Sequence, residues 1–512
     1  MNTKKTKKNE IILFATYSLL LTSSEQVRVI LPKLLAAPVL GLDVETTGLD
    51  PHRDKLRLVQ LATDDLVCVV DCFTVDPRIL QPVLESESLK VAHNAKFDLQ
   101  FLLAASFNTR DASLTVRNVF DTMLADQVLR GSRVPRKLSE LVKEYLGFEL
   151  DKSEQKSDFS GDLSDAQLDY AARDAAVLIP LHRALSEAIQ AARLERCVSL
   201  ENRCVPAIAW LEYSGAPFDT EAWRKLADGA LAEKLKLEDE LTEIAREALG
   251  DNGLFGRTVN WESSSQVLET LKALGLDIPN TTEDTLSNLA DHPIIAKLLA
   301  YREVAKRCGT YGLNVLGDVH PVTGRIHADW RQIGADSGRM SCSKPNLQNV
   351  PRTPAYRACF RAPEGRALVK ADYSQIELRI AAEIANDEKM LEAYKQGEDL
   401  HMLTAQAILG KSDVSKEDRQ IAKSANFGLL YGMGAEAFRQ YARTNYGVEL
   451  SLEQAKALRA KFFSAYPGLR AWHRRQTDGA IETRTTSGRR RLNVEKFTEK
   501  LNTPIQGTGA DG

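Results

Sequence analysis

Apolar and polar positions follow successive patterns along the chain. From residue 38 to about 200, short β-type apolar runs alternate with helical segments. From 200 to 310 helices dominate, and residues 221–250 carry apolar side chains at three- and four-residue spacing before a closing glycine. Strand-like segments return between 313 and 380, and helical patterns run from 385 to about 480. The pattern predicts an α/β region, then a helix-rich one with a projecting helical arm at 221–250.

Residues 483–493 predict a β-hairpin that contains Arg489, Arg490 and Arg491. Around it, between residues 470 and 500, nine Lys and Arg accompany four Asp and Glu. Three consecutive arginines would suit a phosphate backbone, and they are equally typical of a solvated charge run. The sequence leaves both interpretations open.

The amino-terminal end has a lysine-rich stretch at 1–10 followed by an apolar run at 11–21. This order is that of a secretory signal, but a small-x-small cleavage site is missing, and Tyr17 and Ser18 interrupt the run. An apolar run of this length is too short to cross a bilayer. We therefore expect a basic tail that leads into the first strand, and no membrane span further on.

Composition adds two limits. The 512 residues predict two to four domains, and 67 Lys and Arg against 70 Asp and Glu exclude a uniformly basic surface while allowing local basic patches. Seven cysteines without a C-x-x-C spacing favour neither a disulfide framework nor a zinc site. They fit a reducing compartment, so we expect a cytoplasmic protein in which Cys68 and Cys72 are small core residues.

The first candidate chemistry lies at the end of an apolar strand, where Asp43 and Glu45 are two residues apart. Side chains at this spacing point to the same face of a strand. Two like charges on one face repel, so a divalent cation would favour the arrangement. A solvated strand end is the alternative interpretation.

Two further fragments carry acidic groups. A short strand runs to Asn94, a predicted helix N-cap, and Asp98 follows in the first turns of that helix. Tyr170 and Asp174 are four residues apart and share one face of a later helix. Taken singly, Asp98 could serve only the helix dipole and Tyr170 could be a packing residue. We expect His93 to be hydrogen-bonded rather than catalytic.

Together, four acidic groups and a tyrosine are what a two-metal phosphodiesterase site requires, with Mg²⁺ as the cation or Mn²⁺ in its place. Residues 38 to about 190 resemble the DnaQ-like 3'-5' exonucleases of the tyrosine-x-x-x-aspartate subclass. The resemblance implies a ribonuclease-H-like α/β fold in which Tyr170 positions the attacking water and Thr46 and Leu49 touch the 3'-terminal nucleotide. It also implies four metal ligands: Asp43, Glu45, Asp98 and Asp174.

The second candidate chemistry is a stripe of residues spaced by four: Arg419, Lys423, Phe427 and Tyr431. At 100° per residue these positions wind slowly along one side of a helix. An arginine and a lysine at this spacing destabilise a helix by repulsion. A bound polyphosphate would offset that cost, and Phe427 could stack on a base.

This stripe, with the motifs at 337–351, 371–380 and 502–511, resembles the family A DNA polymerases. The resemblance implies that Asp372 is the catalytic carboxylate that binds two magnesium ions, and that Glu377 is a steric gate against a ribose 2'-hydroxyl. It places Gln375, Phe427 and Tyr431 in the nucleotide site, and His401, Arg419 and Lys423 at the triphosphate. It assigns contacts with primer, template or minor groove to Arg339, Asn346, Gln348, Asn349 and Gln506.

The resemblance implies an exonuclease domain followed by a right-hand polymerase domain with thumb, palm and fingers. The predicted boundaries are a basic tail and lead-in at 1–37, the exonuclease at 38–195, thumb and helical region at 196–320, first palm part at 321–383, fingers at 384–490, and the start of a second palm part at 491–512.

The sequence departs from the family in two places. Thr498 stands where the family has an arginine four residues before the asparagine of 502–511. The family's His-Asp motif, whose aspartate is a second metal ligand, is missing up to Gly512. We expect a carboxy-terminally incomplete polymerase that extends primers poorly or not at all, unless a separate chain supplies the rest of the palm. The 5'-nuclease region of some relatives is also expected to be missing.

The function predicted first is a proofreading DNA polymerase of replication or repair, acting as a monomer. Its partners would be a DNA primer-template, single-stranded 3' ends and deoxynucleoside triphosphates. One alternative is a 3'-5' exonuclease whose polymerase-derived half only holds DNA, and another is a catalytically silent DNA-binding protein. Intact Glu377, Arg419 and Lys423 favour the polymerase, because a DNA clamp has no use for a triphosphate stripe.

Overall fold

The computed structural model describes residues 17–106, 115–249 and 259–512. The predicted basic tail at 1–10 lies outside these ranges. The chain forms two compact units. The first comprises the described residues up to Tyr213 together with Trp330–Ser341 and Ala371–Gly512, and the second comprises Ser214–Asp329 and Cys342–Lys370. Within the described residues, no helix is long and apolar enough to span a membrane.

A six-stranded sheet lies at the centre of the amino-terminal region. Strand β3 runs antiparallel to β2 and β4, whereas the pairs β1–β4, β2–β5 and β5–β6 are parallel, which gives the order β1-β4-β3-β2-β5-β6. Every residue of β3 and β4 is buried, as expected for apolar runs covered on both faces. The strands are β1 Tyr17–Leu21, β2 Val39–Thr46, β3 Leu56–Ala62, β4 Leu66–Asp71, β5 Leu89–Ala92 and β6 Val119–Asp121.

Helices cover this sheet. They are α1 Ser24–Ala36, α2 Gln81–Leu84, α3 Ala95–Ser106, α4 Thr122–Arg130, α5 Leu138–Leu146, α6 Asp165–Ala176, α7 Leu178–Ala192 and α8 Glu195–Ser214. We predicted residues 1–37 as a lead-in to the domain, but β1 pairs with β4 inside the same sheet. Since Leu21 and Val27 are buried in its core, the described part of this stretch belongs to the domain.

One buried carboxylate organises the start of two helices. Asp121, at the end of β6, accepts hydrogen bonds from the backbone N–H groups of Asn94 (3.2 Å) and Ala95 (2.9 Å) before α3. It also accepts from Met123 (2.9 Å) and Leu124 (3.3 Å) at the start of α4. We predicted Asn94 as the cap of α3. Asn94 instead has a positive φ of 61°, and the charged oxygens of Asp121 satisfy the free amides.

The second unit is mostly helical. Its long helix α9 packs along α12 around Leu241, Trp261 and Leu298, and nearer its start Trp223 packs on Tyr311. The predicted arm therefore contributes to two hydrophobic clusters of this unit. The helices are α9 Thr220–Leu249, α10 Ser264–Ala273, α11 Glu283–Ser287, α12 Pro293–Tyr311 and α13 Pro354–Ala358, and the paired strands are β7 Ala216–Pro217 and β8 Arg325–Ile326. Two further short strands, β9 Asp329–Arg331 and β10 Ser341–Ser343, contain residues of both units.

The remaining part of the first unit is a helical layer with its own core, to which Leu378, Leu429, Phe438 and Phe462 contribute. Its helices are α14 Ile376–Ala385, α15 Glu388–Lys395, α16 Leu400–Leu409, α17 Lys416–Leu430, α18 Ala435–Tyr446, α19 Leu452–Ala465, α20 Pro467–Arg474 and α21 Phe497–Asp511. The predicted hairpin is confirmed as the antiparallel strands β11 Ile481–Arg484 and β12 Arg490–Val494.

The strand-like pattern before α14 does not form a strand. Residues 366–373 have no regular structure, and Leu368, Val369 and Tyr373 are 61%, 92% and 72% exposed. A strand is stable only when a neighbouring strand pairs with its backbone groups, and among the described residues no strand pairs with this segment. The sequence pattern was correct about β propensity but wrong about the local structure.

Candidate active sites

The four acidic residues predicted as one site lie on three neighbouring elements. Strand β2 carries Asp43 and Glu45 near its end, and α3 carries Asp98 in its first turn. Helix α6 carries Asp174 and, one turn earlier, Tyr170. Asp98, Tyr170 and Asp174 are only 3%, 6% and 4% exposed. Burial of several carboxylates on adjacent elements is costly, which sets this group apart from a solvated strand end.

Gly41 explains how α6 comes so close to β2. A Cβ atom at this position would collide with the backbone carbonyl oxygen of Ala175 and press on Ala62. The glycine thus lets α6 lie directly on the strand that carries Asp43 and Glu45. Its place in the apolar run was visible in the sequence, but its steric role was not.

Burial and mutual repulsion dominate the electrostatics of this acidic cluster. Burial raises the pKa of Asp43 to about 8, and the charge of Asp174 adds to the rise. Burial likewise raises the pKa of Glu45 to about 9, with a further contribution from Asp43. The pKa of Asp98 is also well above its ordinary value because of burial and the nearby charge of Asp43. Such a cluster holds protons or cations strongly.

Lys152 is the residue of this site that sequence reasoning missed. It lies in the loop between α5 and α6, forms an ion pair with Asp174, and donates to the hydroxyl of Tyr170 at 3.4 Å. Its charge lowers the pKa values of Asp43, Glu45 and Asp174, although burial outweighs it in each case. A polar loop offers no periodicity, so only the folded chain shows that this lysine reaches the cluster.

The oxygen atoms of the acidic cluster are of the type that a hard divalent cation binds. Carboxylate oxygens are preferred ligands of Mg²⁺ and Mn²⁺. Asp174 Oδ1 is buried without a hydrogen-bond partner, and Lys152 pairs with the other oxygen. As the side chains stand, no three acidic, histidine or cysteine side chains of the described residues are arranged to hold one ion. Ligation would therefore require the carboxylates to turn towards a common point.

The sequence also drew attention to three other residues of this domain. His93 is half-buried, and its Nδ1 lies 2.9 Å from the Thr122 hydroxyl. Burial lowers the pKa of His93 to about 4, so its ring is neutral near pH 7. This agrees with the expected structural role. Thr46 donates its hydroxyl to the carbonyl of Gly48 at 2.5 Å, and Leu49 is 83% exposed.

The second predicted group forms a stripe on α17, and each polar member has a partner. Arg419 donates from Nε and Nη2 to Asp399 at 3.0 and 2.8 Å. The ammonium of Lys423 lies 5.9 Å from the ring centre of Tyr446. These contacts reduce the repulsion expected between the two cations. At the end of the helix, the hydroxyl of Tyr431 donates to Glu377.

Glu377 connects the stripe to the segment before β10, because it also forms an ion pair with Arg339. Gln375 precedes α14 with a positive φ of 55° and accepts from the Tyr394 hydroxyl at 3.0 Å. His401 is 3% exposed, and its Nδ1 lies 2.7 Å from Asn426 Nδ2. Burial lowers the pKa of His401 to about 4, so it would meet a phosphate only as a neutral donor.

The remaining predicted residues are distributed over both units. Asp372 lies exposed in the irregular segment 366–373, and Gln506 lies half-buried on α21. Asn346, in the second unit, caps a short 3₁₀ turn by accepting from the backbone of Gln348 at 3.1 Å. Gln348 and Asn349 are exposed in the same turn.

The structure contradicts both interpretations that the sequence allowed for the three arginines of the hairpin. Arg489 is buried in ion pairs with Glu201 and Asp511. Arg490 donates to the carbonyl of Leu129 at 2.9 Å, and Arg491 pairs with Glu499 at 2.9 Å. The run is therefore neither a free phosphate-binding surface nor a solvated charge run, since protein partners satisfy its guanidinium groups.

Comparisons with known proteins match two parts of the chain to known families. A model of DNA polymerase family A matches residues 230–512, and a model of the 3'-5' exonuclease matches residues 20–190. DNA polymerase I of Aquifex aeolicus is 35% identical over 96% of this chain and 86% of that protein. DNA polymerase I of Pseudomonas aeruginosa is 33% identical over 94% of this chain, which spans 56% of that longer protein.

A solved structure shows the same fold. The POL domain of Pol1 from M. smegmatis, in complex with DNA primer-template and dNTP, superimposes with a TM-score of 0.75 at 25% identity. The match covers 97% of this chain and 87% of that one. Because a family model covers more than half of its residues and a relative matches it almost end to end, the chain belongs to the family A DNA polymerases and carries a 3'-5' exonuclease domain.

Proposed function

We propose that the acidic cluster on β2, α3 and α6 removes nucleotides from the 3' end of DNA by hydrolysis that depends on two divalent cations. One observation carries this proposal. Four carboxylates and a tyrosine lie on three neighbouring elements. Burial there disfavours the charged form of each carboxylate. Such a group of buried carboxylates is typical of a functional site, where a cation or a substrate compensates their negative charge.

The residues that would hold the cations, Mg²⁺ or Mn²⁺, are Asp43, Glu45, Asp98 and Asp174. When bound, the cations would acidify the attacking water and offset negative charge on the phosphate and the departing oxygen. Burial, together with the nearby carboxylates, raises the pKa of Tyr170, so its hydroxyl keeps its proton. That hydroxyl can donate to or orient a water molecule beside Asp174.

We further propose that α17 binds a deoxynucleoside triphosphate for templated extension of a primer. Arg419 and Lys423 supply positive charge one helical turn apart, and Glu377 lies against Tyr431 at the end of the same stripe. Asp372 would supply a carboxylate of the site where this reaction occurs. There the primer 3'-hydroxyl attacks the α-phosphate of the triphosphate, and pyrophosphate leaves. The bound primer-template and dNTP of the M. smegmatis protein support these partners.

The alternative of an exonuclease with a DNA-holding half is not favoured, because the polymerase family match covers residues 230–512. The test uses a labelled primer-template with a mismatched 3' end, Mg²⁺, and the chain with or without deoxynucleotides. Asp43→Asn should slow shortening of the primer on the order of a thousandfold, as loss of a charge-stabilising group typically does. Asp165→Asn, on the exposed start of α6, is the matched control and should shorten the primer like the wild type.

The exonuclease assignment and the polymerase assignment can each be contradicted separately. Equal shortening by wild type and Asp43→Asn would contradict the assigned exonuclease site. Binding of a deoxynucleoside triphosphate that Arg419→Ala and Lys423→Ala leave unchanged would contradict the triphosphate site on α17. Lengthening that Arg419→Ala and Lys423→Ala abolish, while excision continues, would support the triphosphate site.

A further inference from the structure

The ammonium group of Lys152 lies within the acidic cluster of the exonuclease site. It pairs with Asp174, lies 3.4 Å from the Tyr170 hydroxyl, and stands 5.1 Å from the centre of that ring. The exposed fraction is 20% for the Lys152 side chain and 6% for that of Asp174. Removing one partner of a shielded ion pair costs far more than breaking a pair in water.

The loop that carries Lys152 is attached to α6 on both sides of the lysine. On one side, the neighbouring Asp151 carboxylate lies 3.4 Å from Arg173. On the other side, Gln167 donates to the carbonyl of Asp158 at 2.9 Å, and Phe159 is buried in the same cluster as Tyr170. The lysine is therefore presented to the cluster by contacts of its own loop with the helix that bears Asp174.

Lys152 binds one oxygen of the Asp174 carboxylate, which the proposed cation site also uses. It is bonded to Asp174 Oδ2, and Oδ1 of the same group is buried without a partner. Its charge also acts on Asp43 and Glu45, where it opposes the repulsion from the other carboxylates. A divalent cation that binds Asp174 and this cluster takes over the same task, so ammonium and cation compete for one position.

We propose that Lys152 is an internal counter-ion of the exonuclease site, which a divalent cation displaces when it binds Asp174. The inference rests on the function proposed above. In the cation-free chain, the ammonium holds Asp174 in place and stabilises the buried carboxylates. When a cation enters, the lysine leaves, so the strength of this ion pair sets the cation concentration at which the site fills. Lys152 is thus a positioning residue.

The first test measures Mn²⁺ binding to the full chain by electron paramagnetic resonance, with binding that Asp43→Asn removes taken as binding at this site. Lys152→Met should bind Mn²⁺ there on the order of tenfold more tightly than wild type, since no ion pair has to be broken. Lys156→Met, an exposed lysine of the same loop, is the matched control and should bind like wild type. Lys152→Arg should restore the weaker affinity.

The second test separates a counter-ion from a lysine that only supports the loop. Without Mn²⁺, Lys152→Met should melt at a lower temperature than wild type, because Asp174 is left buried without its ion-pair partner. With saturating Mn²⁺, the difference should shrink or vanish. A supporting lysine would instead lower the melting temperature equally in both conditions.

Equal or weaker Mn²⁺ affinity of Lys152→Met at a site that still needs Asp43 would overturn the counter-ion role alone. A melting difference that Mn²⁺ does not change would do the same. If wild type shows no Mn²⁺ binding that depends on Asp43, the metal centre of the proposed function fails as well.

Discussion

His473 shows how the surroundings of one side chain set its charge. It is 8% exposed, and its ring packs against the rings of Phe463, Trp472 and Phe497 at 5.1, 5.4 and 6.0 Å. Its Nε2 donates to the carbonyl of Leu430 at 2.9 Å. Burial lowers the pKa of His473 to about 4, so the folded chain holds it neutral near pH 7. An unfolded chain would protonate it near its ordinary value of about 6.5.

The contribution of His473 to the stability of the chain should therefore fall as pH is lowered from about 6.5 to about 4, because over this window the unfolded state binds the proton of this ring more readily. The loss is bounded by about 1.4 kcal/mol for each pH unit. His473→Gln should be less stable than wild type at pH 7.5, and the difference in free energy of unfolding between the two should shrink at pH 5.0. Guanidinium unfolding at pH 7.5 and 5.0 measures both free energies.

His292→Gln is the control for this prediction, because His292 is exposed at the start of α12. It should change neither stability nor its dependence on pH. His93 and His401, whose pKa values burial lowers to about 4, contribute with the same sign, whereas Asp43 and Glu45, whose pKa values burial raises, contribute with the opposite sign. The prediction therefore concerns the difference between the variant and wild type. A constant difference between His473→Gln and wild type at both pH values would contradict the prediction.

At the scale of elements, the contact between β2 and α6 decides whether the acidic cluster forms. The spacings of Asp43 with Glu45 and of Tyr170 with Asp174 place each pair on one face of its own element. The distance between the two elements depends on Gly41, where a side chain would strike the backbone of Ala175.

Gly41→Ala should push α6 away from β2 and cost roughly 1–3 kcal/mol of stability, as overpacking of a tight contact does. Excision of a mismatched primer end should slow by at least an order of magnitude, because cluster geometry is lost. Melting temperature and excision rate are measured together. Gly161→Ala, at a loop glycine whose added Cβ meets nothing within 4 Å, should change neither. Excision at the wild-type rate by Gly41→Ala would show that α6 need not lie so close.

At the scale of the whole molecule, one buried ion network joins distant parts of the first unit. Arg489 of the hairpin pairs with Glu201 of α8 and Asp511 of α21, and Gln332 donates to Glu201 at 2.8 Å. The side chains of Arg489, Glu201 and Asp511 are 7%, 7% and 4% exposed. The network connects the helix that follows the exonuclease sheet to the hairpin and the last helix.

Arg489→Met should leave two carboxylates buried without a cation and destabilise the first unit by roughly 3–5 kcal/mol. Arg489→Lys should cost less, although a lysine cannot reproduce the planar fork that contacts both partners. Denaturant unfolding gives the free energies, and limited proteolysis reports release of the hairpin. Arg474→Met, an exposed arginine of α20, is the control. If Arg489→Met proves as stable as this control, the network does not join these parts.

The sequence predicted much of this fold but not its long-range contacts. The β2 strand, the helices with Asp98 and Asp174, the α17 stripe and the hairpin were all visible as periodic patterns or turns. The strand-like pattern predicted between residues 313 and 380 was wrong for the exposed segment 366–373, because β propensity cannot show whether a partner strand is present. The Asp121 cap and the Lys152 contact were missed, because they join residues 26 and 22 positions apart without any local pattern.

The sequence by itself determined which chemical groups are available and on which face of each element they lie, because strand and helix geometry fix the spacing of side chains within an element. Only the tertiary structure decided what those groups meet. It set Lys152 against Asp174, and it buried Arg489 with Glu201, 288 positions away. Such partners are chosen by how elements pack and by the need to satisfy charges that packing removes from water.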